Sequence, residues 1–378
     1  MRQLLNYQQK KLENHKNNNH PISVLITSPS IDPDEHIGGI ATFTSLLLQN
    51  NSEVNYIHFA RGRKKDQKRG VMWFIKQPAI FADFFLTLIK SKETKVVHIN
   101  MPLDKLAVLR DTILVVIASI CMRKIILHLH GGKYSLNRST PFLIKKIVRL
   151  SIGLSSKLIV LGNEERKYLI EYYKVKPQKL RLLYNAVKLE ESIEEKQYNS
   201  TINILYLGRI EKSKGLREIL LALRLLSFKY SVRLIIAGEG TEKEKFLQEC
   251  EVHIPGKYEY MGVVTGIRKQ LIFNKSHIFL MPSYYEGLPY SLLEAMANKL
   301  IPVVTPVGSI PEVIEDGCNG VIVPVNDYKK IFMRISELIE DPQMMQTICN
   351  NAYNHIRSRY SLRDHIKQIN QIYFGLSN

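Results

Sequence analysis

The chain has 378 residues, of which 45% are hydrophobic and 23% charged, and this is long enough for two domains with separate cores. Four cysteines are scattered without a CxxC pair, which argues against a disulfide framework or a zinc site and favours reduced thiols in a cytosolic protein. Residues 1–20 lack the apolar core of a signal peptide and are interpreted as a loose tail, and the longest apolar run, 112–122, is too short to span a bilayer.

The net charge of +18 lies almost entirely in the first half of the chain. Residues 1–190 contain 31 Lys and Arg against 14 Asp and Glu, a net +17, whereas the remainder contains 22 against 21, a net +1. A basic half of this kind predicts an anionic partner, such as a membrane surface, a lipid phosphate or nucleic acid.

Short apolar, β-branched runs alternate with longer amphipathic segments along the whole chain. The runs lie at 22–27, 54–59, 95–100, 124–130, 157–161, 180–184, 201–207, 232–237, 258–263, 277–281, 301–305 and 320–323. Continuous apolar strands separated by helices are typical of parallel sheets covered on both faces. We therefore predict an α/β fold of two doubly wound, Rossmann-like domains facing a cleft: residues 1–188, residues 189–362, and a terminal helix, 363–378, that returns to the first domain.

The segment 284–300 follows a buried strand and places a loop before a helix. The loop contains Glu286 and Gly287, Pro289 is expected at the first helical position, and Glu294 follows roughly one and a half turns later. The N–H groups and the positive dipole end at the helix start form an anion site between the two carboxylates. This pattern suits a ligand with a phosphate in the middle and hydroxyl groups on both sides, such as a nucleotide sugar.

Glycines mark several other strand ends where a ligand would bind. Gly38 and Gly39 begin a helix after the first strand, which fits phosphate binding or a plain tight turn equally well. Gly238 and Glu239 follow the second strand of the second domain, and Val263 ends its third strand, where a base could pair with the main chain. Ordinary turns explain these last positions as well.

Asp32 and Asp34 in the first loop could hold Mg²⁺ on a diphosphate. We favour an exposed acidic loop, and no metal site is predicted, because cationic side chains can do the same work. Arg209 follows the first strand of the second domain and Lys214 precedes the next helix, so both can converge on one anion. One charge pair at about 4 Å contributes about 4 kcal/mol at an effective dielectric constant of 20.

Two histidines end the fourth strand, before Gly131. His128 and His130 point to the same face because residues two apart share a face of a strand. His130 lies nearest the carboxyl edge, where it could orient an acceptor hydroxyl or bind a sugar. His128 is interpreted as a structural residue of the strand.

Together these motifs resemble the family-four glycosyltransferases of the GT-B fold, the retaining type found in bacterial surface-polysaccharide synthesis. Glu286 and Glu294 match the spacing of that family's acid pair. The resemblance covers nearly the whole chain from about residue 22 and is most specific in the second domain. It implies a retaining, metal-independent transfer of a hexose or N-acetylhexosamine from a nucleotide diphosphate sugar to a saccharide.

The resemblance also implies roles for individual residues. Arg209 and Lys214 would bind the donor diphosphate, Glu286 the hexose hydroxyls and Glu294 the ribose, with His130 beside the donor sugar or the acceptor. The donor-binding group would be completed by backbone around the cleft, at Gly38, Gly39, Gly238, Glu239, Val263, Gly287, Leu288 and Pro289. No cofactor is implied, and a UDP-sugar is expected from the frequency of uridine donors in such pathways.

Two positions depart from the family pattern. Asn185 matches, but its neighbours do not form the Pro-Asn-Gly sequence that relatives often have. Gly162 stands where relatives often have a serine. These departures concern the turn before the linker and the contacts on the acceptor side.

The basic first half would take the acceptor. Segments 61–69 and 140–150 could rest on an anionic bilayer. We therefore expect a cytoplasmic enzyme, peripheral on the inner face of the cell membrane, with a polyprenyl-diphosphate-linked acceptor. A nucleotide-sugar epimerase of the same fold is the alternative enzyme. A nucleic-acid-binding protein is the alternative suggested by charge, although the basic segments lack a platform of stacking aromatics.

Overall fold

The computed structural model describes residues 22–33, 35, 38–62, 75–132, 134, 136–137, 139–190, 193, 195–198 and 201–377. Three parts of the sequence interpretation lie outside these residues: the tail at 1–20, Asp34, and positions 63–69 of the basic segment 61–69.

The first half of the chain forms one six-stranded parallel sheet. Its strands are β1 (Ser23–Ser28), β2 (Asn55–Ala60), β3 (Thr94–Met101), β4 (Lys124–Leu129), β5 (Lys157–Val160) and β6 (Leu180–Leu182), in the order β2-β1-β3-β4-β5-β6. The helices between them are α1 (Gly39–Asn50), α2 (Gln77–Lys90), α3 (Lys105–Ile120), α4 (Phe142–Leu154) and α5 (Asn163–Tyr173).

The second half repeats this plan. Its strands are β7 (Ile202–Leu207), β8 (Val232–Ala237), β9 (Tyr258–Gly262), β10 (Ile278–Met281), β11 (Ile301–Val304) and β12 (Val321–Ile322), in the order β12-β11-β10-β7-β8-β9. Its helices are α6 (Leu216–Lys229), α7 (Lys243–His253), α8 (Gly266–Lys275), α9 (Tyr290–Ala297), α10 (Tyr328–Glu340), α11 (Pro342–Arg359) and α12 (Leu362–Ser377).

Alternate residues of each strand enter different apolar cores. On β1, Val24 and Ile26 join a core that includes residues of α1, α9 and α12, whereas Leu25 joins a core under α2, α3 and α4. The first of these cores continues into the second domain through residues such as Leu205 on β7. Both faces of each sheet are therefore covered, as continuous apolar strands require. The predicted fold of two doubly wound α/β domains is confirmed.

The chain crosses back to the first sheet after α11. Val187 forms two backbone hydrogen bonds at this crossing: its N–H donates to the Tyr360 carbonyl at 3.0 Å, and its carbonyl accepts from the Leu362 N–H at 3.1 Å. On α12, the Asn370 side chain accepts a hydrogen bond from Asn51 at 2.7 Å, and the Tyr373 hydroxyl lies 2.7 Å from Nδ1 of His98. The last helix thus packs on the first domain through polar as well as apolar contacts.

The carboxyl ends of the two sheets approach each other closely. A Cβ placed on Gly131, after β4, would lie 3.1 Å from the Cα of Gly287, before α9. A Cβ on Gly39, at the start of α1, would lie 3.5 Å from the ring of Tyr290. The loops that the sequence analysis assigned to a ligand therefore face one another across a narrow cleft.

Candidate active site

Helix α9 begins at Tyr290, and Pro289 is its N-cap, with φ −70° and ψ 130°. The expectation that Pro289 is the first helical residue is wrong by one position, because its extended ψ lies outside the helical range. Pro289 offers no side-chain hydrogen bond to this helix start. The N–H groups of its first turn are therefore available to an anion.

The loop before α9 is held rigidly by its neighbours. Leu288 buries its side chain in the core, and its carbonyl accepts a hydrogen bond from Nδ2 of Asn185 at 2.6 Å. The carbonyl of Gly287 accepts from the N–H of Ser309 at 3.0 Å. A Cβ on Gly308 would lie 2.2 Å from the Glu286 carbonyl. Leu288 can therefore offer a ligand its backbone only.

Lys214 and Glu286 form an ion pair at the centre of the site, with Nζ and Oε1 2.6 Å apart. Both side chains are largely buried, at 14% and 12% exposed. The turn that contains Lys214 ends at Gly215, which has φ +69° and whose Cβ would lie 2.2 Å from the Pro282 carbonyl. Glycine is required there, since any side chain would push the two loops apart.

Arg209 lies at the same sheet edge but points elsewhere. Its guanidinium pairs with Glu211 at 2.9 Å, and its side chain is 62% exposed. Its backbone carbonyl accepts a hydrogen bond from the buried Tyr206 hydroxyl. Lys214 and Arg209 thus contact different carboxylates here, and Arg209 must change rotamer if both are to hold one anion.

Glu294 projects from α9 and pairs with Lys269 of α8, Nζ to Oε1 2.6 Å. The sequence analysis missed Lys269, which lies in an ordinary amphipathic helix with no motif around it. Only the packing of α8 beside α9 reveals this contact. Lys269 engages one oxygen of Glu294, and a carboxylate can accept further hydrogen bonds on the other.

The loops after β7 and β8 are packed directly on each other. Gly238 has φ +145°, and its Cβ would lie 1.8 Å from the Gly208 carbonyl. Glu239 accepts a hydrogen bond from the Tyr260 hydroxyl at 2.7 Å. Val263 follows β9 and is half-buried. These predicted donor-binding positions therefore share one edge of the second sheet.

His130 faces the same cleft from the first domain. Its Nε2 lies 2.7 Å from Oδ1 of Asn100, and its ring centroid is 4.0 Å from that of His128. Burial, together with the neighbouring His98 and Arg61, lowers the pKa of His130 to about 3. A neutral imidazole thus stands at the carboxyl edge, one residue after β4.

A cluster of aromatic rings lies behind His130. Phe43 of α1 is in edge or tilted contact with four imidazoles, at centroid distances of 4.8 to 5.7 Å. These are His98, His128, His130 and His365. His128 is fully buried, as expected of a structural residue. The helix start at Gly38 and Gly39 is anchored through this same α1.

The two domains also contact each other at the start of α5. Glu312 accepts hydrogen bonds from the N–H groups of Asn163 and Glu164, at 2.9 and 3.1 Å, and from the Tyr184 hydroxyl at 2.9 Å. A Cβ on Gly162 would lie 2.1 Å from Oγ of Ser309. The close approach of Ser309 therefore explains why a serine would not fit at position 162 in this arrangement.

Arg61 does not lie on a membrane-facing surface, and this part of the basic-segment prediction is wrong. Its side chain is 1% exposed and pairs with Asp111 at 2.7 Å. It also donates a hydrogen bond to the carbonyl of Asn100. A buried carboxylate on α3 therefore draws Arg61 inward, and that partner is 50 positions away in the sequence.

Two features are absent from the described part of the chain. Its helices include no segment with the length and apolar character needed to cross a membrane. No three His, Cys, Asp or Glu side chains within it converge as metal ligands would.

Comparison with solved structures identifies the fold. The chain superimposes on a sucrose-phosphate synthase from Thermosynechococcus elongatus with a TM-score of 0.76 and 15% identity, covering 94% of this chain and 99% of the other. It superimposes on Anabaena HepE in complex with UDP with a TM-score of 0.71 and 16% identity, covering 93% and 99%. The architecture is the GT-B fold.

Residues 188–355 match the family described as glycosyl transferases group 1. The chain is 24% identical over 257 residues to an uncharacterised glycosyltransferase of Methanocaldococcus jannaschii, covering 64% of this chain and 65% of the relative. It is 26% identical over 235 residues to the capsular polysaccharide biosynthesis glycosyltransferase CapM of Staphylococcus aureus, covering 60% and 61%.

A third relative is the N-acetylgalactosamine-N,N'-diacetylbacillosaminyl-diphospho-undecaprenol 4-alpha-N-acetylgalactosaminyltransferase of Campylobacter jejuni. It is 24% identical over 224 residues, covering 58% of this chain and 60% of the relative. The chain spans less than two thirds of the length of these three relatives. The resemblance to GT-B glycosyltransferases is confirmed, and neither alternative class is favoured.

Proposed function

We propose that the protein is a retaining glycosyltransferase that moves a hexose or N-acetylhexosamine from a UDP-sugar to a saccharide acceptor in cell-surface polysaccharide synthesis. The observation that carries the proposal is the largely buried pair of Lys214 and Glu286 beside the start of α9, where Pro289 makes no side-chain capping bond. A cation, a carboxylate and the N–H groups of a helix start within one cleft match the diphosphate and hydroxyl groups of such a donor.

In this proposal Lys214 and Arg209 neutralise the charge that develops on the departing diphosphate, and no metal is required. Glu286 binds hydroxyl groups of the transferred sugar, and Glu294 binds the ribose. The departing phosphate takes the proton of the acceptor hydroxyl on the same face. Stabilising the leaving group is then the main catalytic effect, and removal of one such group typically costs about 10²–10³ in kcat.

The donor is tested first by a thermal-shift panel of UDP- and GDP-sugars on the whole chain. Lys214→Ala is expected to lose the shift with a UDP-sugar, and Arg209→Ala to weaken it. Lys212→Ala is the matched control, since Lys212 lies in the same turn but is exposed. A full shift retained by Lys214→Ala would refute its role.

Product analysis with donor alone separates transfer from epimerisation, because only an epimerase converts the donor without an acceptor.

We further propose that the acceptor is linked to a polyprenyl diphosphate and that the enzyme lies on the cytoplasmic face of the membrane. The Campylobacter relative, named for an undecaprenol-linked acceptor, supports this proposal. Helix α4 supports it too: Phe142, Leu143 and Leu150 are 71%, 66% and 49% exposed. The same helix carries Lys146 and Arg149, both exposed, and no acidic residue.

The apolar surface continues from α4 onto α3 and, beyond it, onto α2. Helix α3 packs against both α4 and α2. It exposes Leu109, Ile113 and Ile120, which share one stripe, and α2 exposes Leu86 and Ile89. An apolar surface with basic side chains and few acids fits an anionic bilayer. We call these three helices the α2–α4 face.

Flotation with liposomes that contain phosphatidylglycerol tests the α2–α4 face. The double variant Phe142→Ser, Leu143→Ser is expected to float at least about tenfold less, because each lost apolar side chain removes over 1 kcal/mol of burial. The matched control is Phe228→Ser, Ile267→Ser, since these side chains are 79% and 81% exposed on the second domain. Equal flotation of both variants would contradict the proposal that the α2–α4 face binds the membrane. Binding that is insensitive to salt would contradict it too.

A further inference from the structure

Asn100 stands between two groups whose chemistry fixes its orientation. It lies near the carboxyl end of β3 and is fully buried. Its Nδ2 donates to the backbone carbonyl of Thr27 at 2.8 Å, and its Oδ1 lies 2.7 Å from Nε2 of His130. The carbonyl of Thr27 can only accept a hydrogen bond, so the amide NH₂ must face it.

The orientation of the amide sets the tautomer of His130. Oδ1 of Asn100 can only accept, so Nε2 of His130 must carry the hydrogen. Since the pKa of His130 is lowered by burial to about 3, the ring is neutral near pH 7. The proton is therefore on Nε2 and the lone pair is on Nδ1.

We propose that Asn100 is a positioning residue that makes His130 a contact able only to accept a hydrogen bond, so that the site selects a neutral, hydroxyl-bearing sugar over an acidic one. This inference rests on the proposed function. A sugar hydroxyl can donate to the lone pair on Nδ1. A carboxylate offers no hydrogen there and would leave two acceptors facing each other beside the buried Asn100, which is costly.

The tautomer is measured directly, without any substrate, from the ¹⁵N shifts of His130 in labelled protein near pH 7. A protonated Nε2 and an unprotonated Nδ1 are expected. A protonated Nδ1, or an imidazolium, would overturn the inference. Because this readout needs no donor, it stands even if no UDP-sugar binds, in which case only the proposed function fails.

Asn100→Asp gives the functional test. A carboxylate still accepts from Nε2 but stabilises the imidazolium, which raises the pKa of His130 by about 1–3 units. From a starting pKa of about 3, this brings protonation of Nδ1 within reach only at acidic pH. At pH 5 Nδ1 then donates in a larger share of the molecules, so the preference for UDP-glucose over UDP-glucuronic acid is expected to fall about tenfold there and to stay unchanged near pH 7. The matched control is Asn203→Asp on β7, whose amide donates to the Lys275 carbonyl at 2.7 Å in the other domain.

A second variant covers the case in which Asn100→Asp does not fold. Asn100→Ala removes the amide without adding charge, so both tautomers of His130 are expected in the ¹⁵N spectrum. An unchanged tautomer in Asn100→Ala would overturn the positioning role. If the sugar preference of Asn100→Asp is unchanged although the protonation of His130 has changed, the proposed selection of neutral over acidic sugars is overturned.

Discussion

At the scale of single residues, the cleft depends on backbone approaches that only glycine allows. Gly238 combines a positive φ of +145° with a Cβ position only 1.8 Å from the Gly208 carbonyl. Gly215 does the same against the Pro282 carbonyl. Such contacts bring the loops after β7, β8 and β10 together at one sheet edge, so that Lys214 and Glu286 can meet.

Gly238→Ala is therefore expected to destabilise the second domain by about 3 kcal/mol or more, because backbone atoms must move. Gly256→Ala is the matched control. Gly256 also has a positive φ, of +68°, but has no atom within 4 Å of its Cβ position, so its cost should be only about 1 kcal/mol. Urea unfolding measures both. Similar losses would mean that φ strain, and not the contact with Gly208, determines the effect.

Residue types and spacing identified part of the site in advance. Glu286 and Lys214 both stand out as polar residues at strand ends, and the structure brings them together. Lys269 and Asp111 could not be predicted, because each sits on a helix with no motif and is defined by a partner from a distant segment. Asn100 could have been identified from the sequence, because it is a polar residue near the end of an apolar strand. The structure places it beside Thr27 and His130.

At the scale of elements, the twelve predicted strands are all present, with ends that shift by one or two residues in most cases. Continuous β-branched runs are a strong signal because both faces of a parallel strand are buried. The contacts between domains gave no such signal. The start of α5 receives Glu312 from the second domain, and nothing in the sequence around either segment indicates the other.

Glu312→Gln is expected to loosen this contact. The carboxylate uses both oxygens to accept from α5 and Tyr184, whereas an amide can accept with only one, so about 1–3 kcal/mol of stability should be lost. Hydrogen exchange at the start of α5 should rise at the same time. Glu337→Gln is the control, since that side chain pairs only at 3.4 Å with Arg334 and is 48% exposed. Unchanged exchange in α5 would show that Glu312 does not hold the domains.

At the scale of the whole molecule, buried histidines divide unequally between the two domains. Burial lowers the pKa of His98 to about 3 and that of His365 to about 4, and it also lowers the pKa of His128 well below its usual value. In the second domain burial lowers the pKa of His277 to about 4. Within the described residues, five histidines of the first domain and its packed helix α12 have a lowered pKa: His58, His98, His128, His130 and His365. The rest of the second domain has two, His277 and His355.

We expect the first domain to lose stability first as the pH falls. Unfolded imidazoles take up protons near pH 6.5, while the folded ones do so only near pH 3 to 4, so the free energy of unfolding decreases below about pH 6.5. Each buried histidine contributes a loss of about 1 kcal/mol between pH 6 and pH 5. Native-state hydrogen exchange, corrected for intrinsic rates, should show protection falling faster in the first sheet than in the second over this interval. An equal fall in both sheets would mean that the histidine cluster around Phe43 does not control acid stability.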